Sequence, residues 1–187
     1  MDARAGNSTG SGAATAATAR PGTGERAGAR EGAGSGAERE LIIQRTFAAP
    51  RELVFRAWTE PQLLARWSCP RGFTFLENYG ELRVGGSFFG RMRSPQGTEH
   101  RLRGVYRAIV PPERLVFTHC WVDADGNPGP ETIVTVTLRE RNGQTEMTFH
   151  QGNFESPGAR DAHAEGWASC FERLAELMPV LRHDAGR

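Results

Sequence analysis

The sequence predicts an α+β fold in which a curved antiparallel sheet wraps around one long C-terminal helix. Apolar and polar residues alternate with a period of two over residues 73–149, and short turn motifs interrupt the alternation. From Ser156 onward, apolar residues follow the spacing of an amphipathic helix. Two short helices are predicted between the first strand and the rest of the sheet. This order of elements is typical of an α+β layer, because the apolar face of the sheet needs the helix to cover it.

The first two elements are predicted to be a strand and a helix. Leu41–Phe47 has the composition of a strand and ends at Ala48-Ala49-Pro50. Pro50 suits the first turn of a helix over Arg51–Thr59. The apolar side of that helix consists of Leu53, Val54, Ala57 and Trp58.

A second short helix follows directly. Thr59, Glu60 and Pro61 are predicted to cap and start it. Its apolar side carries Leu63, Leu64 and Trp67. Cys69-Pro70 is predicted to end it, because proline does not continue a helix.

Turn motifs divide the alternating region into about six strands. They are Gly85-Gly86, Ser94-Pro95-Gln96-Gly97, Pro111-Pro112, Asp125-Gly126-Asn127-Pro128 and Asn142-Gly143. Asn142-Gly143 lies between two alternating runs and predicts a two-residue hairpin. One face of the sheet is predicted to point inward, and the opposite face, rich in arginine and threonine, to face water. The inward residues are Phe88, Gly90, Met92, Leu102, Gly104, Tyr106, Ala108, Leu115, Phe117, His119, Trp121, Val134, Val136, Leu138, Met147, Phe149 and Gln151.

The last element is predicted to be a long amphipathic helix. Ser156 is the expected N-cap and Pro157 fits the first turn. Pro179 is expected to end or kink the helix. The apolar stripe comprises His163, Trp167, Cys170, Phe171, Leu174, Leu177 and Met178.

The chain is predicted to have two unlike parts. Residues 1–38 contain no leucine, isoleucine, valine or aromatic residue, and their four arginines balance four acidic residues. Such a segment buries too little surface to offset the entropy of ordering, so we expect a disordered tail rich in alanine and glycine. Residues 39–187 have the usual size of a single domain with one core.

Composition excludes several classes of function. All 23 residues counted as lysine or arginine are arginine, so chemistry that needs a lysine is absent. The net charge of +1 argues against a nucleic-acid-binding protein. The sequence has no run of 18 apolar residues, so no membrane span is predicted. It has no apolar segment after Met1, so no secretory signal is predicted. Three cysteines without CxxC spacing favour a cytoplasmic protein.

The motifs along the domain resemble those of the START-like, or SRPBCC, superfamily, in the branch similar to the C-terminal domain of the activator of Hsp90 ATPase. In this order, over about 140 residues, they are specific for the fold and say little about function. The motifs are Arg45-Thr46-Phe47 with Ala49-Pro50, Leu53-Val54-Phe55 with Ala57-Trp58-Thr59, Leu64-Ala65-Arg66-Trp67, Arg83-Val84-Gly85-Gly86, Gly104-Val105-Tyr106, Pro111-Pro112-Glu113-Arg114-Leu115-Val116-Phe117-Thr118 and Glu165-Gly166-Trp167 with Leu174-Ala175-Glu176-Leu177.

One motif departs from the family pattern. Relatives often read Trp-Trp-Gly-Pro after the second helix, whereas this chain has Trp67-Ser68-Cys69-Pro70. A serine therefore replaces a bulky ring near the expected mouth of the cavity, and we expect a wider opening.

The resemblance implies a helix-grip fold with an elongated apolar cavity between the sheet and the long helix. Binding cavities of this kind are mostly apolar with a few convergent polar groups. The alternative is that the same rings simply fill the core. The predicted lining residues are Trp67, Phe88, Met92, Tyr106, Phe117, His119, Trp121, Met147, Phe149, Gln151, His163, Trp167 and Phe171.

Two histidines are candidates for chemistry in that cavity. His119 is in register with Phe117 and Trp121, and His163 lies one helical turn before Trp167, so both are predicted to face the cavity from opposite walls. The alternative for each is a half-buried imidazole whose hydrogen bond goes to a backbone carbonyl. No metal site or cofactor is predicted, because no pair of possible ligands has zinc-type spacing. Cys170 is expected to be an inert thiol in an apolar setting.

Three functions are compatible with these residues. We expect a non-enzymatic protein that binds a small hydrophobic or amphipathic ligand. The first alternative is a cyclase, aromatase or hydratase that uses His119, His163 and Tyr106 as acid and base groups. The second, a chaperone partner of the Hsp90 type, is suggested only by the family name and ranks last. A homodimer is possible through an exposed edge strand.

Overall fold

The computed structural model of the protein describes residues 36–185, with side chains described to residue 183. The predicted tail, residues 1–38, therefore lies outside the described residues except at its end. There Gly36–Arg39 forms a short 3-10 helix with exposed side chains, so the predicted boundary falls within this helix.

In the described part of the chain, seven strands form one antiparallel sheet. The bounds are β1 Leu41–Phe47, α1 Arg51–Thr59, α2 Pro61–Leu64, β2 Thr74–Gly80, β3 Ser87–Arg93, β4 Glu99–Val110, β5 Arg114–Val122, β6 Thr132–Arg141, β7 Gln144–Gly152 and α3 Pro157–Ala185. The strand order is β1-β7-β6-β5-β4-β3-β2, so β1 and β2 are the two edges. The predicted α+β class and helix-grip arrangement are confirmed.

The hairpin between β6 and β7 has the predicted two-residue turn. Arg141 pairs with Gln144, and both residues between them have positive φ angles, 54° at Asn142 and 74° at Gly143. This is the backbone of a type I′ turn, whose twist matches that of the flanking strands. Asparagine and glycine tolerate these angles better than other residues, which is why the pair was a reliable signal.

A β-bulge in β4 overturns one predicted inward residue. The register with β5 shifts between Tyr106 and Ala108, so that Tyr106 lies opposite Phe117 and Ile109 lies opposite Leu115. Ile109, rather than the predicted Ala108, therefore packs against the core. One extra residue in a strand exchanges its two faces, and simple alternation does not anticipate it.

The second short helix differs from the prediction in its start and its length. The hydroxyl of Thr59 donates to the carbonyl oxygen of Phe55 at 2.9 Å, so it closes α1 and does not cap α2. The helix ends at Leu64, before the predicted stop at Cys69-Pro70. The chain continues in turns to the buried Trp67, whose indole N–H donates to the carbonyl oxygen of Ala57 at 2.8 Å.

The long helix α3 begins as predicted. The backbone N–H of Ala159 donates to the hydroxyl oxygen of Ser156 at 3.1 Å, which is an N-cap interaction. Pro179 lies inside the helix, which continues to Ala185, so the helix does not end at this proline. The core between α3 and the sheet includes the buried residues Cys170, Phe171 and Leu174.

Candidate ligand-binding cavity

A cavity of about 330 Å³ lies between strands β2 to β5, the segment that carries α1 and α2, and helix α3. Its walls are mainly aromatic and aliphatic, as is typical of a small-molecule site. The lining includes these residues that the sequence predicted: Trp67, Phe88, Met92, Tyr106, Phe117, His119 and Trp167.

Other residues line the cavity although they were not among the predicted lining residues. Gly90, Leu102 and Leu115 are on the predicted inward face, so the alternation of the strands contained the signal for them. Ser68, where the sequence departs from the family pattern, also lines the cavity. Trp58 and Leu64 are on the predicted apolar sides of α1 and α2, so the helical spacing contained the signal for them. The remaining lining residues, from the α1–α2 segment and the β2–β3 edge, carried no comparable signal: Thr59, Glu60, Pro61, Cys69, Phe75, Asn78, Tyr79, Gly80, Leu82, Phe89 and Arg91.

Six predicted lining residues do not line this cavity: Trp121, Met147, Phe149, Gln151, His163 and Phe171. Phe149 shows the physical reason. Its ring centroid lies 4.7 Å from that of Trp167 and 5.2 Å from that of Phe171, and it stacks at 6.3 Å against Trp58. These rings fill the space between the sheet and α3, and Met147 is fully buried as well. At these positions the structure therefore agrees with the alternative interpretation, in which the rings fill the core.

Gln151 belongs to a buried chain of hydrogen bonds. The indole N–H of Trp167 donates to its Oε1 at 2.8 Å, and its Nε2 donates to the hydroxyl of Thr132, also at 2.8 Å. The Thr132 hydroxyl in turn donates to the carbonyl oxygen of His119 at 2.9 Å. These hydrogen bonds connect α3 to the three strands β7, β6 and β5. They leave the buried amide of Gln151 satisfied by protein groups, which gives this residue a structural role.

His163 is also engaged by protein groups. Its Nδ1 donates to the carbonyl oxygen of Ala159 at 2.8 Å, and the indole N–H of Trp121 donates to its Nε2 at 3.1 Å. Because both ring nitrogens are used in this way, the imidazole has the proton on Nδ1 and is neutral. Burial lowers the pKa of His163, which favours the same neutral form. The predicted alternative of a histidine satisfied by a carbonyl is what the structure shows.

His119 differs from His163 because one of its ring nitrogens is unused. The residue is 5% exposed, and its Nδ1 is buried without a hydrogen-bond partner. Burial, with a smaller effect of the neighbouring His163, lowers the pKa of His119 to about 3. The ring centroids of the two histidines are 5.6 Å apart. His119 is therefore a neutral imidazole in the cavity wall with unused hydrogen-bonding capacity.

Tyr106 and Trp58 are two further polar side chains in the wall. The Tyr106 ring contacts Phe88 and Phe117, and burial raises the pKa of its phenol, so the hydroxyl keeps its proton. The Nε1–H of Trp58 is buried without a partner. In contrast, the indole N–H groups of Trp67, Trp121 and Trp167 all donate to protein acceptors.

The described residues do not form a metal centre or an activated thiol. No group of three histidine, cysteine or carboxylate side chains lies together among residues 36–183. All three cysteines are buried free thiols. Burial, with a smaller effect of Cys69, raises the pKa of the Cys170 thiol to about 12, so this thiol is not a nucleophile at neutral pH.

Comparisons with known proteins point to one family. Residues 48–179 match the model of the family described as "Activator of Hsp90 ATPase homolog 1-like protein". No functionally curated protein matches the chain.

No helix in residues 36–185 has both the length and the apolar character needed to cross a membrane.

Solved structures from several bacteria are similar to this chain. A protein from Chromobacterium violaceum shares 30% identity with a TM-score of 0.66, over 75% of this chain and 96% of that one. A protein from Rhodobacter sphaeroides shares 30% identity with a TM-score of 0.66, over 79% and 97%. A protein from Silicibacter pomeroyi, 24% identical over 75% and 98% with a TM-score of 0.69, supports the fold alone.

Proposed function

The chain belongs to the family of activator of Hsp90 ATPase homolog 1-like proteins, in the START-like superfamily, and on this premise we propose that it binds a small hydrophobic or amphipathic ligand without converting it. The observation that carries the proposal is the apolar cavity of about 330 Å³. That volume is within the range of small-molecule sites. The fold alone is a weak argument for function, so the support comes from the cavity walls.

The alternative of an acid–base enzyme has less support. It requires His119, His163 and Tyr106 to converge on one substrate, but His163 lies outside the cavity wall and uses both ring nitrogens within the protein. A histidine with a pKa of about 3 is a weak base, since an effective general base has a pKa near the working pH. Binding therefore accounts for the cavity better than catalysis does.

The proposed setting is the cytoplasm, because all three cysteines are free thiols and a reducing compartment keeps them so. A homodimer through the β2 edge of the sheet is part of the same proposal. We do not propose a chaperone partner, because the family description is its sole support.

A neutral fluorescent probe tests the binding function. We expect N-phenyl-1-naphthylamine to bind the full-length protein saturably with a stoichiometry of one, as measured by fluorescence and calorimetry. Ser68 lines the cavity, so the large ring introduced by Ser68→Trp occupies part of that space and should weaken binding at least about tenfold.

Ser68→Ala is the matched control, because it changes the same position without filling the space, and it should bind the probe like the original protein. Absence of saturable binding, or equal binding by Ser68→Trp and Ser68→Ala, would contradict the proposed function.

A further inference from the structure

We propose that the ligand is electrically neutral and carries an acceptor oxygen that Tyr106 and His119 bind on the sheet wall of the cavity. This inference rests on the proposed function and specifies the chemical class of the ligand: a compact apolar body with one carbonyl or similar oxygen. A long-chain carboxylate whose charged group enters the cavity does not belong to this class.

Neutrality follows from the charges in the wall. Among the described lining residues only Glu60 and Arg91 are charged. Arg91 forms two ion pairs. Its Nε lies 3.0 Å from Glu77 Oε1, and its Nη1 lies 3.2 Å from Glu99 Oε2. Glu60 is paired with Arg56 at 2.6 Å. An anionic ligand in the cavity would lose its hydration and would find no unpaired cationic side chain in the wall. A buried unpaired charge is strongly unfavourable.

The acceptor site follows from the register of two neighbouring strands. Tyr106 in β4 lies directly opposite Phe117 in β5, and His119 is two residues beyond Phe117 on the same face. Diagonal neighbours of this kind are roughly 7–8 Å apart, within reach of long side chains. Both residues line the cavity, so a phenol hydroxyl and an imidazole border it from neighbouring strands.

Both groups have hydrogen-bonding capacity that the protein leaves unused. His119 is neutral, and its Nδ1 is enclosed by protein atoms, so Nε2 is the ring nitrogen that a ligand can reach. Among the described residues no protein group bonds to His119 Nε2, and the contacts of Tyr106 are made through its ring. An apolar ligand would cover such N–H and O–H groups without giving them a partner, so a ligand oxygen that accepts from them gains affinity over an otherwise equal hydrocarbon. This capacity lies in an aromatic enclosure, where the rings of Phe88 and Phe117 cover an apolar body.

Three naphthalenes of similar size test the inference by competition with N-phenyl-1-naphthylamine. They are 2-acetylnaphthalene with a carbonyl, 2-ethylnaphthalene without one, and 2-naphthoate with a charge. At pH 7 we expect the ketone to bind about tenfold more tightly than the ethyl compound, and the carboxylate to bind more weakly than both. A ketone that binds no better than the ethyl compound would overturn the inference, as would a carboxylate that binds as tightly as the ketone.

Variants identify the donors. Tyr106→Phe and His119→Leu should each lower the ratio of ketone to hydrocarbon affinity, and the double variant should bring it to about one. Binding of 2-ethylnaphthalene reports that each variant is folded with its cavity open. Met178→Leu, an apolar exchange in the core at a residue that does not line the cavity, should leave the ratio unchanged.

A tenfold ratio that persists in the double variant would overturn the assignment of the donors. This outcome is distinct from failure of the proposed function, in which the fluorescent probe itself does not bind.

Discussion

The indole N–H of Trp121 donates a hydrogen bond to Nε2 of His163, over a nitrogen–nitrogen distance of 3.1 Å. This contact joins the end of β5 to the first turns of α3. Both residues were predicted in the cavity wall and are absent from it, and in the structure each satisfies a polar group of the other. Trp121 remains 36% exposed, so the pair lies at the surface end of the core.

Trp121→Phe tests the structural role of this pair. The variant retains a ring but loses the donor to His163 Nε2, and we expect the free energy of unfolding to fall by about 1 kcal/mol. Probe binding should stay unchanged, because neither residue lines the cavity. Urea denaturation and a probe titration measure the two quantities. Lost probe binding in a stably folded variant would contradict this assignment.

The pH dependence of stability reports the burial of His119. An unfolded histidine takes up a proton below about pH 6.5, whereas folded His119 remains neutral down to about pH 3. The unfolded state therefore binds more protons in this interval, and stability is lost as the pH falls. Between pH 7 and pH 5 this residue should account for a loss of about 2 kcal/mol.

The comparison is between the original protein and His119→Leu, each denatured with urea at both pH values. The variant should lose less stability on acidification, by about that amount. Subtraction removes the contribution of other groups with shifted pKa values, such as His163 and Glu99. Equal pH dependence in both proteins would show that His119 is not buried as described.

Two glycine-to-alanine substitutions should have opposite effects. A Cβ at Gly104 would lie 1.9 Å from the carbonyl oxygen of Thr118 and 2.4 Å from the Phe88 ring, so backbone and cavity wall would have to move. We expect Gly104→Ala to destabilise the protein by roughly 3 kcal/mol. A Cβ at Gly166, inside α3, meets nothing within 4 Å, and Gly166→Ala should stabilise the helix by about 1 kcal/mol.

Thermal and urea denaturation of both glycine variants measure these effects, and each variant serves as the control of the other. A neutral Gly104→Ala substitution would mean that the Phe88 ring and strand β5 are not packed as described.

Arg173 is predicted to hold the segment from Arg66 to Cys69, part of the cavity wall, in place. Its Nη2 donates to the carbonyl oxygen of Arg66 at 2.9 Å, and its Nη1 lies 2.9 Å from the sulfur of Cys69. These contacts join α3 to the segment that contains Ser68. We expect Arg173→Met to raise the hydrogen-exchange rate of amides 66–69 by about tenfold or more, because bonds from a charged donor are lost.

Arg71→Met is the matched control for Arg173→Met. The Arg71 guanidinium contacts Glu172 and Glu176 in an exposed setting, and exposed ion pairs contribute little. Its effect on exchange of amides 66–69 should be small. Equal effects of the two variants would contradict a specific role for Arg173.

Much of the fold was predictable because its signals are local. The hairpin at Asn142-Gly143 and the N-cap at Ser156 depend on the conformations of a few adjacent residues, and both are confirmed. The bulge near Tyr106 has no such signal, because the extra residue is accommodated by pairing with β5. The inward position of Ile109 therefore emerged only from the strand register.

The candidate site was predictable in part for a related reason. Alternation showed that Phe117, His119 and Phe149 share the inner face of the sheet, but it does not tell which of them borders empty space. Phe149 packs among Trp58, Trp167 and Phe171, whereas Phe117 and His119 border the cavity.

By itself, the sequence determined the types and order of the elements, the inward face of the sheet and the family, since periodicity and turn motifs act over short stretches of chain. Tertiary structure alone decided where the core leaves a cavity and which polar atoms remain unpaired. The two histidines illustrate the difference: Trp121 and Ala159 satisfy His163, while no protein group bonds to Nδ1 of His119. That distinction depends on contacts between residues far apart in the chain, because a hydrogen bond forms only where the folded backbone brings donor and acceptor together.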